Sequence, residues 1–409
     1  MFENGTKFER RRIETYHVVD SIMGSGKTTA VFDYIREHDD IRFIYVVPLL
    51  SEVQRALDEL EGFKTPARYG NKLTGLKYLL SKNKNIITTH ALFAHVDDEC
   101  RAWIRSGKYV LVMDECYDPF AERSNDIDDD VKLALDSGAA HIGEDGYICW
   151  DWKEYGGEGL RKVREDCDSK RLIYWKGACI TISSPETFTA FEEGFVLTYM
   201  FKGQALKYYF DVNGIEFDYR YVTPDRKLTC EPVEVPHQKY SELIHILNED
   251  KLNEVGDSIT SLSKTHFQKF GKGLTDKLRN NMYTYTRRRI HATSKDIMWT
   301  CYKSWEKDLA LDGCRKGFVP CNTKATNEFA GKRVLLYILN RYMNVGVKNY
   351  LIGNGATIDE DEFALSEMLQ WIFRSAVRNG EEIWIYIPSR RMRGLLLSWI
   401  KEVDGSATV

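Results

Sequence analysis

The sequence, 409 residues long, lacks several features that would settle its class at once. Its nine cysteines (100, 116, 149, 167, 179, 230, 301, 314, 321) contain no C-x-x-C pair. Structural zinc needs four ligands, usually gathered by such close pairs, so it is not expected here. An odd, scattered set in a chain of this length also argues against a disulfide framework and for reduced thiols. No apolar run approaches the ~18 residues of a membrane span. The greasiest stretches, EIWIYIP and RVLLYIL, are strand- or helix-length. The opening MFENGTKFERRRIETYHVVD is charged where a signal peptide would be apolar. A strong charge of one sign is missing too: 57 Lys and Arg against 61 Asp and Glu leave −4 at pH 7. That excludes a polycationic architectural protein but not a local basic face.

What is present is a globular composition, 43% apolar and 12% aromatic, with length for two or three domains at roughly 150 residues each. His17 to Asp20 reads as a short buried strand, and Ser21-Ile22-Met23-Gly24-Ser25-Gly26-Lys27-Thr28-Thr29 follows directly. Ala30 to His38 then reads as a helix with Val31, Tyr34 and Ile35 on one face. Strand, glycine-rich loop with Gly-Lys-Thr, helix is the context of a phosphate-binding P-loop. Gly24 and Gly26 let backbone N–H groups wrap phosphates, and the helix N-terminus adds its positive dipole. Lys27 would reach the β and γ phosphates of ATP and Thr28 would ligate Mg2+, with Ser25 and Thr29 completing the loop. The full G-x-x-x-x-G-K-[ST] pattern has Gly where this chain has Ser21.

Strands and helices keep alternating. Arg42–Val47 is a strand ending at Pro48, and Ser51 is expected to cap a helix through about Leu60. Asn85–Thr89 is a strand ending in Thr88-Thr89-His90. Tyr109–Met113 delivers Asp114-Glu115-Cys116-Tyr117 at its carboxyl end, where parallel sheets keep their ligand crevice. Alone, Asp-Glu after an apolar strand reads as a strand turning into solvent. Downstream of Lys27 it suits ATP hydrolysis, Asp114 holding Mg2+ and Glu115 polarising the attacking water.

Together these motifs resemble superfamily 2 helicases, the DEAD/DEAH-like nucleic-acid-stimulated ATPases, and among them bacteriophage-type helicases. Asp114-Glu115-Cys116-Tyr117 resembles the DEAH/DECH box, with Tyr117 where His or Asp is usual. Tyr45-Val46-Val47-Pro48-Leu49 resembles motif Ia and Thr88-Thr89-His90 motif Ib, which implies that Pro48, Thr89 and His90 touch the nucleic-acid backbone. Val196 to Phe201 resembles motif III, with Tyr199 a departure. Gln370 to Gly380 resembles motif VI, Q-x-x-G-R-x-G-R, with its second arginine one residue late and its glycines absent. The resemblance makes Gln370, Arg374 and Arg378 catalytic, the arginines crossing a cleft to the γ-phosphate. On one helix, 374 and 378 would be i, i+4 neighbours aimed at one target. Ile297–Tyr302 could stand for motif IV and Phe318–Glu328 for motif V, by position. Ile383–Ser389 and the helix Arg390–Ile400 would close a second sheet.

The implied fold is α/β: two RecA-like P-loop domains in tandem, with an insertion in the first and a basic helical segment opening the second. The first would span 1–212 with the insertion at about 118–177, a linker 213–240, and the second 241–409. The insertion carries the acidic run Asp126 to Asp130, then Trp150, Trp152, Tyr155, Gly156 and Gly157. It reads as a surface element closed by its own aromatic cluster; a DNA-contacting role is the alternative, opposed by the acidic start. Between 261 and 295 the chain has nine Lys and Arg (264, 269, 272, 277, 279, 287, 288, 289, 295) against Asp276 alone. His266, Phe267, Phe270, Tyr283 and Tyr285 are interleaved. Such a strip is either a solvated face or a nucleic-acid site in which Lys264, Lys269, Lys272, Arg287, Arg288 and Arg289 neutralise phosphates while aromatics stack on bases. The charge asymmetry favours the second.

The expectation is an ATP-dependent helicase or translocase acting on single-stranded nucleic acid, DNA before RNA, in the cytoplasm (the host's, for a phage-encoded chain), away from membranes and alongside replication or recombination proteins. A nucleic-acid binding and remodelling switch without processive unwinding is the alternative. A packaging ATPase fits less well: Asp359–Glu362 offers DEDE, but no dispersed acidic triad suggests a nuclease.

Overall fold

Short apolar runs, each stopped by a polar or turn residue, become parallel strands. Arg42–Val47 buries everything after its first residue, and Tyr109–Asp114 everything before its last. The computed structural model describes residues 15–66, 71–121, 125–153, 157, 159–233, 239–321 and 328–406. Its first sheet contains β1 (Thr15–Asp20), β2 (Arg42–Val47), β3 (Ile86–Thr89) and β4 (Tyr109–Asp114). After an intervening subdomain with β5 (Phe120–Ala121), β6 (Ala140–Ile142), β7 (Ile148–Trp150), β8 (Leu172–Trp175) and β9 (Ala178–Ile182), the sheet resumes with β10 (Glu193–Thr198), β11 (Glu216–Val222) and β12 (Leu228–Thr229). The order is β12-β11-β1-β10-β4-β2-β3, parallel except for the terminal β12. This aligns Asp20, Val47, Thr89, Asp114 and Thr198 along one carboxyl edge, where such sheets bind ligands.

A second sheet, order β13-β16-β15-β14, is parallel throughout: β13 (Ile244–Ile246), β14 (Ile297–Thr300), β15 (Val334–Tyr337) and β16 (Ile383–Tyr386). Helices Glu360–Ile372 and Arg390–Ser406 cover one face and Lys264–Tyr283 the other. The chain is thus mixed α/β.

The two halves share apolar contacts. Met343, Tyr350, Leu351 and Phe363 belong to the core of the first sheet, while Ile22, Met23, Tyr199 and Met200 pack on that of the second. At Gly203 an added Cβ would come within 2.3 Å of the Glu362 carbonyl, so only glycine permits this approach.

Several expectations change. Ser51 caps nothing: the helix is Leu50–Glu59, with Leu49 extended at its cap position and no side-chain cap. Arg374 and Arg378 do not share a helix, because Glu360–Ile372 ends at Phe373 and Arg378 lies in a separate 3₁₀ turn, Ala376–Asn379. Residues 216–229, expected in a linker, form β11 and β12 at the sheet edge. The basic segment is helical from Lys264 to Tyr283, kinked at Gly271 (φ +48°), and continues as a π-helical turn, Thr284–Arg289. In the inserted subdomain Trp150 and Trp152 meet edge to face at 6.2 Å, but the core there is aliphatic: Val131, Ala134, Ile148, Leu160, Val163 and Leu172. Tyr155, Gly156, residues 322–327 of the motif V segment and the first fourteen residues lie outside the described residues.

Candidate nucleotide-binding cleft

Past β1, Ser21 donates its N–H to the Thr198 carbonyl (3.1 Å), extending the ladder with β10. Gly24 and Gly26 have φ +86° and +87°, conformations that side chains resist, and Gly26 directly precedes the helix Lys27–Glu37. The Lys27 ammonium donates to the carbonyls of Ser21 and Ile22, the latter at 3.0 Å. Burial lowers its pKa to about 8, against the pull of Asp20, Asp114 and Glu115. The buried Ser25 hydroxyl has no hydrogen-bond partner among the described residues.

Asp114 ends β4 beside this loop. One carboxylate oxygen accepts from the Thr28 hydroxyl (3.3 Å); the other accepts from Tyr45 (2.7 Å) and lies 3.4 Å from Arg55, which also pairs with Glu52 (2.7 Å). Glu115 follows at φ +60°, a strained conformation for a non-glycine residue, of the kind that collects at functional sites.

The opposite wall comes from the end of the helix Glu360–Ile372 and the turns that follow it. Gln370, Phe373, Arg374 and Arg378 line a cavity of about 290 Å³ together with Gly24, Gly26, Lys27, Thr28, Thr29, Asp114 and Glu115. Arg374 is buried, and its Nε and Nη1 have no hydrogen-bond partner among the described residues. Burial pushes its pKa down while Glu115 and Glu367 hold it up. The donor set fits a nucleoside triphosphate with Mg2+: an open glycine cradle, a lysine held by loop carbonyls, a hydroxyl without a partner among the described residues, and an adjacent hydroxyl and carboxylate. Among the described residues no group of three His, Cys, Asp or Glu could hold a metal ion.

Four contributors were given no role at the site from the sequence. Asp20 accepts the N–H groups of Met200 (2.7 Å) and Phe201 (3.0 Å), tying the base of the P-loop to the turn after β10. Tyr45 and Arg55 orient Asp114. In the same turn, Tyr199 accepts from the Trp399 indole (2.9 Å) on the last helix.

Residues expected at nucleic acid separate into two places. Pro48 and His90 line a groove next to the cleft, beside Tyr117 and Asp118. The Thr89 hydroxyl caps the turn His90–Phe93 by accepting from Leu92 N–H (3.3 Å). The basic helix lines neither this groove nor the cleft. On it Lys264, Lys269, Lys272 and Arg288 are exposed. Arg289 pairs with Asp250 and Arg279 with Asp312, while Arg287 donates to the Ala292 carbonyl. Phe267 and Tyr285 are core residues, which leaves Phe270 and Tyr283 as its exposed rings.

Residues 238–400 match the family described as the YonV C-terminal Rossmann-like domain. The SPbeta prophage-derived uncharacterized protein YonV of Bacillus subtilis (strain 168) is 36% identical over 411 residues, covering 95% of this chain and 99% of that protein. Among solved structures, the chain is similar to S. tokodaii Xpd4, with TM-score 0.49 and 12% identity over 94% of each chain. It is also similar to the DUF1998 helicase MrfA bound to DNA and AMPPNP, with TM-score 0.33 and 12% identity over 95% of this chain and 48% of that one. Both structural likenesses are loose, and the chemistry of the cleft stands on its own geometry.

Proposed function

The chain belongs to the YonV family, and we propose that it is an ATP-dependent helicase or translocase built from two tandem RecA-like domains, acting on single-stranded nucleic acid, DNA before RNA. One observation carries this reading: Lys27, Thr28, Asp114 and Glu115 from one half and Gln370, Arg374 and Arg378 from the other line a single cavity. Lys27 exchanges the Ser21 and Ile22 carbonyls for phosphate oxygens. Asp114, fixed by Tyr45 and Arg55, and Thr28 hold Mg2+, which supplies neutralisation of the charge that develops during phosphoryl transfer. Glu115 orients the attacking water. Arg374 and Arg378 reach the triphosphate from the far wall, so turnover depends on how the halves sit together, and a change in that placement moves the strand bound over the sheets' carboxyl edges. A prophage-derived relative fits work in a host cytoplasm.

Glu115→Gln tests the assignment: it should bind nucleotide and lose turnover, whereas hydrolysis at the wild-type rate would refute it. A non-processive switch is the second reading, favoured by the burial of Met343, Tyr350 and Leu351 in the first sheet's core, which limits how far the halves can part. Nucleic-acid-stimulated hydrolysis with no strand separation on a forked duplex would select it.

A further inference from the structure

The inserted subdomain is fixed against the first sheet rather than hung from it. The Ser183 hydroxyl, just past β9, bonds to Tyr117, three residues past the end of β4 (2.6 Å). Lys170 pairs with Glu186 (2.9 Å). At its far side Trp175 packs edge-on against Tyr350 of the second half, ring centres 5.5 Å apart. This docking leaves a groove of about 440 Å³ whose one wall is Pro48 and His90, at the ends of β2 and β3, and whose other wall is Lys162, Arg171 and Thr181 of the subdomain.

Arg171 is not an ordinary surface arginine. It is buried, 8% exposed, and held from three sides: its Nη1 donates to Asp166 (2.9 Å), its N–H to the Asp166 carbonyl (2.8 Å), and its own carbonyl accepts from Ile182 (2.7 Å). Its Nε has no hydrogen-bond partner among the described residues. Arg171 lines the groove, and a guanidinium held in place in this way is suited to the oxygens of a phosphate. The other ionisable groups lining the groove are Asp118, Asp166, His90, His95, Tyr117 and Lys162. Asp166 is matched by Arg171, and the Asp118 carboxylate accepts from Phe120 N–H (3.0 Å). Burial, helped by the Arg171 charge, lowers the His95 pKa and keeps that ring neutral. Lys162, exposed on the helix Arg161–Asp168, is in no described ion pair.

We infer that the subdomain forms the second wall of the nucleic-acid path, with Lys162 and Arg171 contacting the phosphodiester backbone of a single strand that runs over Pro48 and His90. This rests on the functional reading above and assigns a role to residues outside its motifs. Asp129 and Asp130, the described end of the acidic run, line neither groove nor cleft.

The test is fluorescence anisotropy with a labelled oligothymidylate over a range of salt concentrations, using Lys162→Glu and Lys162→Arg. Lys162 is exposed and touches nothing in the cleft, so both variants should keep the wild-type melting temperature and basal ATP turnover. Lys162→Glu should raise Kd about tenfold at low salt and reduce the salt slope by about 0.7, the share of one single-strand phosphate contact. Lys162→Arg should bind as wild type does. Wild-type binding with an unchanged Lys162→Glu overturns the inference alone. A wild-type protein that does not bind the oligonucleotide overturns the functional reading, and the inference with it.

Discussion

Arg374 gives the sharpest opposition between stability and activity. The residue is 5% exposed, with its Nε and Nη1 lacking a partner among the described residues. Glu115 and Glu367 attract it, but burial outweighs them and drives its pKa down. Taking a cation out of water costs several kcal/mol, and replacing a poorly compensated buried ionic group with an apolar side chain of similar length gains about 1–4 kcal/mol. Methionine fits such a slot because it is unbranched and adaptable. Arg374→Met should therefore stabilise the protein by about 1–3 kcal/mol, a rise in melting midpoint of roughly 1–4 °C. If the arginine is retained for triphosphate, the same change should lower ATP turnover about 10³-fold while leaving nucleotide affinity within a few fold. Differential scanning fluorimetry and a steady-state phosphate-release assay read the two quantities. A less stable Arg374→Met, or a stable one with normal turnover, would refute the reasoning, since either makes Arg374 a structural residue.

Three further outcomes follow from the same geometry. Tyr45→Phe removes the 2.7 Å donor to Asp114; supporting residues of this kind typically matter 10- to 100-fold, so half-saturation in Mg2+ should rise by about that factor, and an unchanged Mg2+ titration would show that Arg55 and Thr28 suffice. The Lys27 ammonium, lowered by burial to about 8, loses its proton in the free protein above that pH; affinity for a non-hydrolysable ATP analogue should fall, with proton uptake on binding, whereas a flat profile to pH 9.5 would contradict the desolvated lysine. His17 lies between Glu193 (3.0 Å) and Asp218 (2.7 Å), which together outweigh its desolvation and raise its pKa. Its contribution to stability is fully present below the unfolded value of 6.5 and is lost as pH rises through the raised one; urea denaturation of His17→Gln should show a flatter pH dependence than wild type, and parallel curves would remove the ion-pair account.

The middle of the first sheet was legible because strands there are apolar runs with their own stops, as RFIYVV before Pro48 and YVLVM before Asp114-Glu115. The P-loop was legible because its glycines and lysine are adjacent in sequence. What could not be read were contacts at long separation: Asp20 with Met200 spans 180 residues and Tyr45 with Asp114 spans 69. The strand Glu216–Val222 was hidden because most of its residues are only half buried, so the alternation that marks a strand is blurred by Asp218 and Arg220. Trp371 and Ile372 carried the apolar helical pattern to Arg374, yet the helix stops there, and the two arginines meet at the cleft through a turn instead. The basic strip looked denser in sequence than in space, since Asp250 and Asp312, outside the counted window, answer Arg289 and Arg279.

The central claim is that the cleft between the halves hydrolyses ATP in response to nucleic acid. Steady-state ATP turnover of the wild-type protein, measured alone and with single-stranded DNA, single-stranded RNA or duplex DNA, tests it most directly. The account predicts slow basal turnover, a severalfold or greater rise with single-stranded DNA, and loss of both rates in Lys27→Ala. Turnover that ignores every nucleic acid, or that survives in Lys27→Ala, would contradict it.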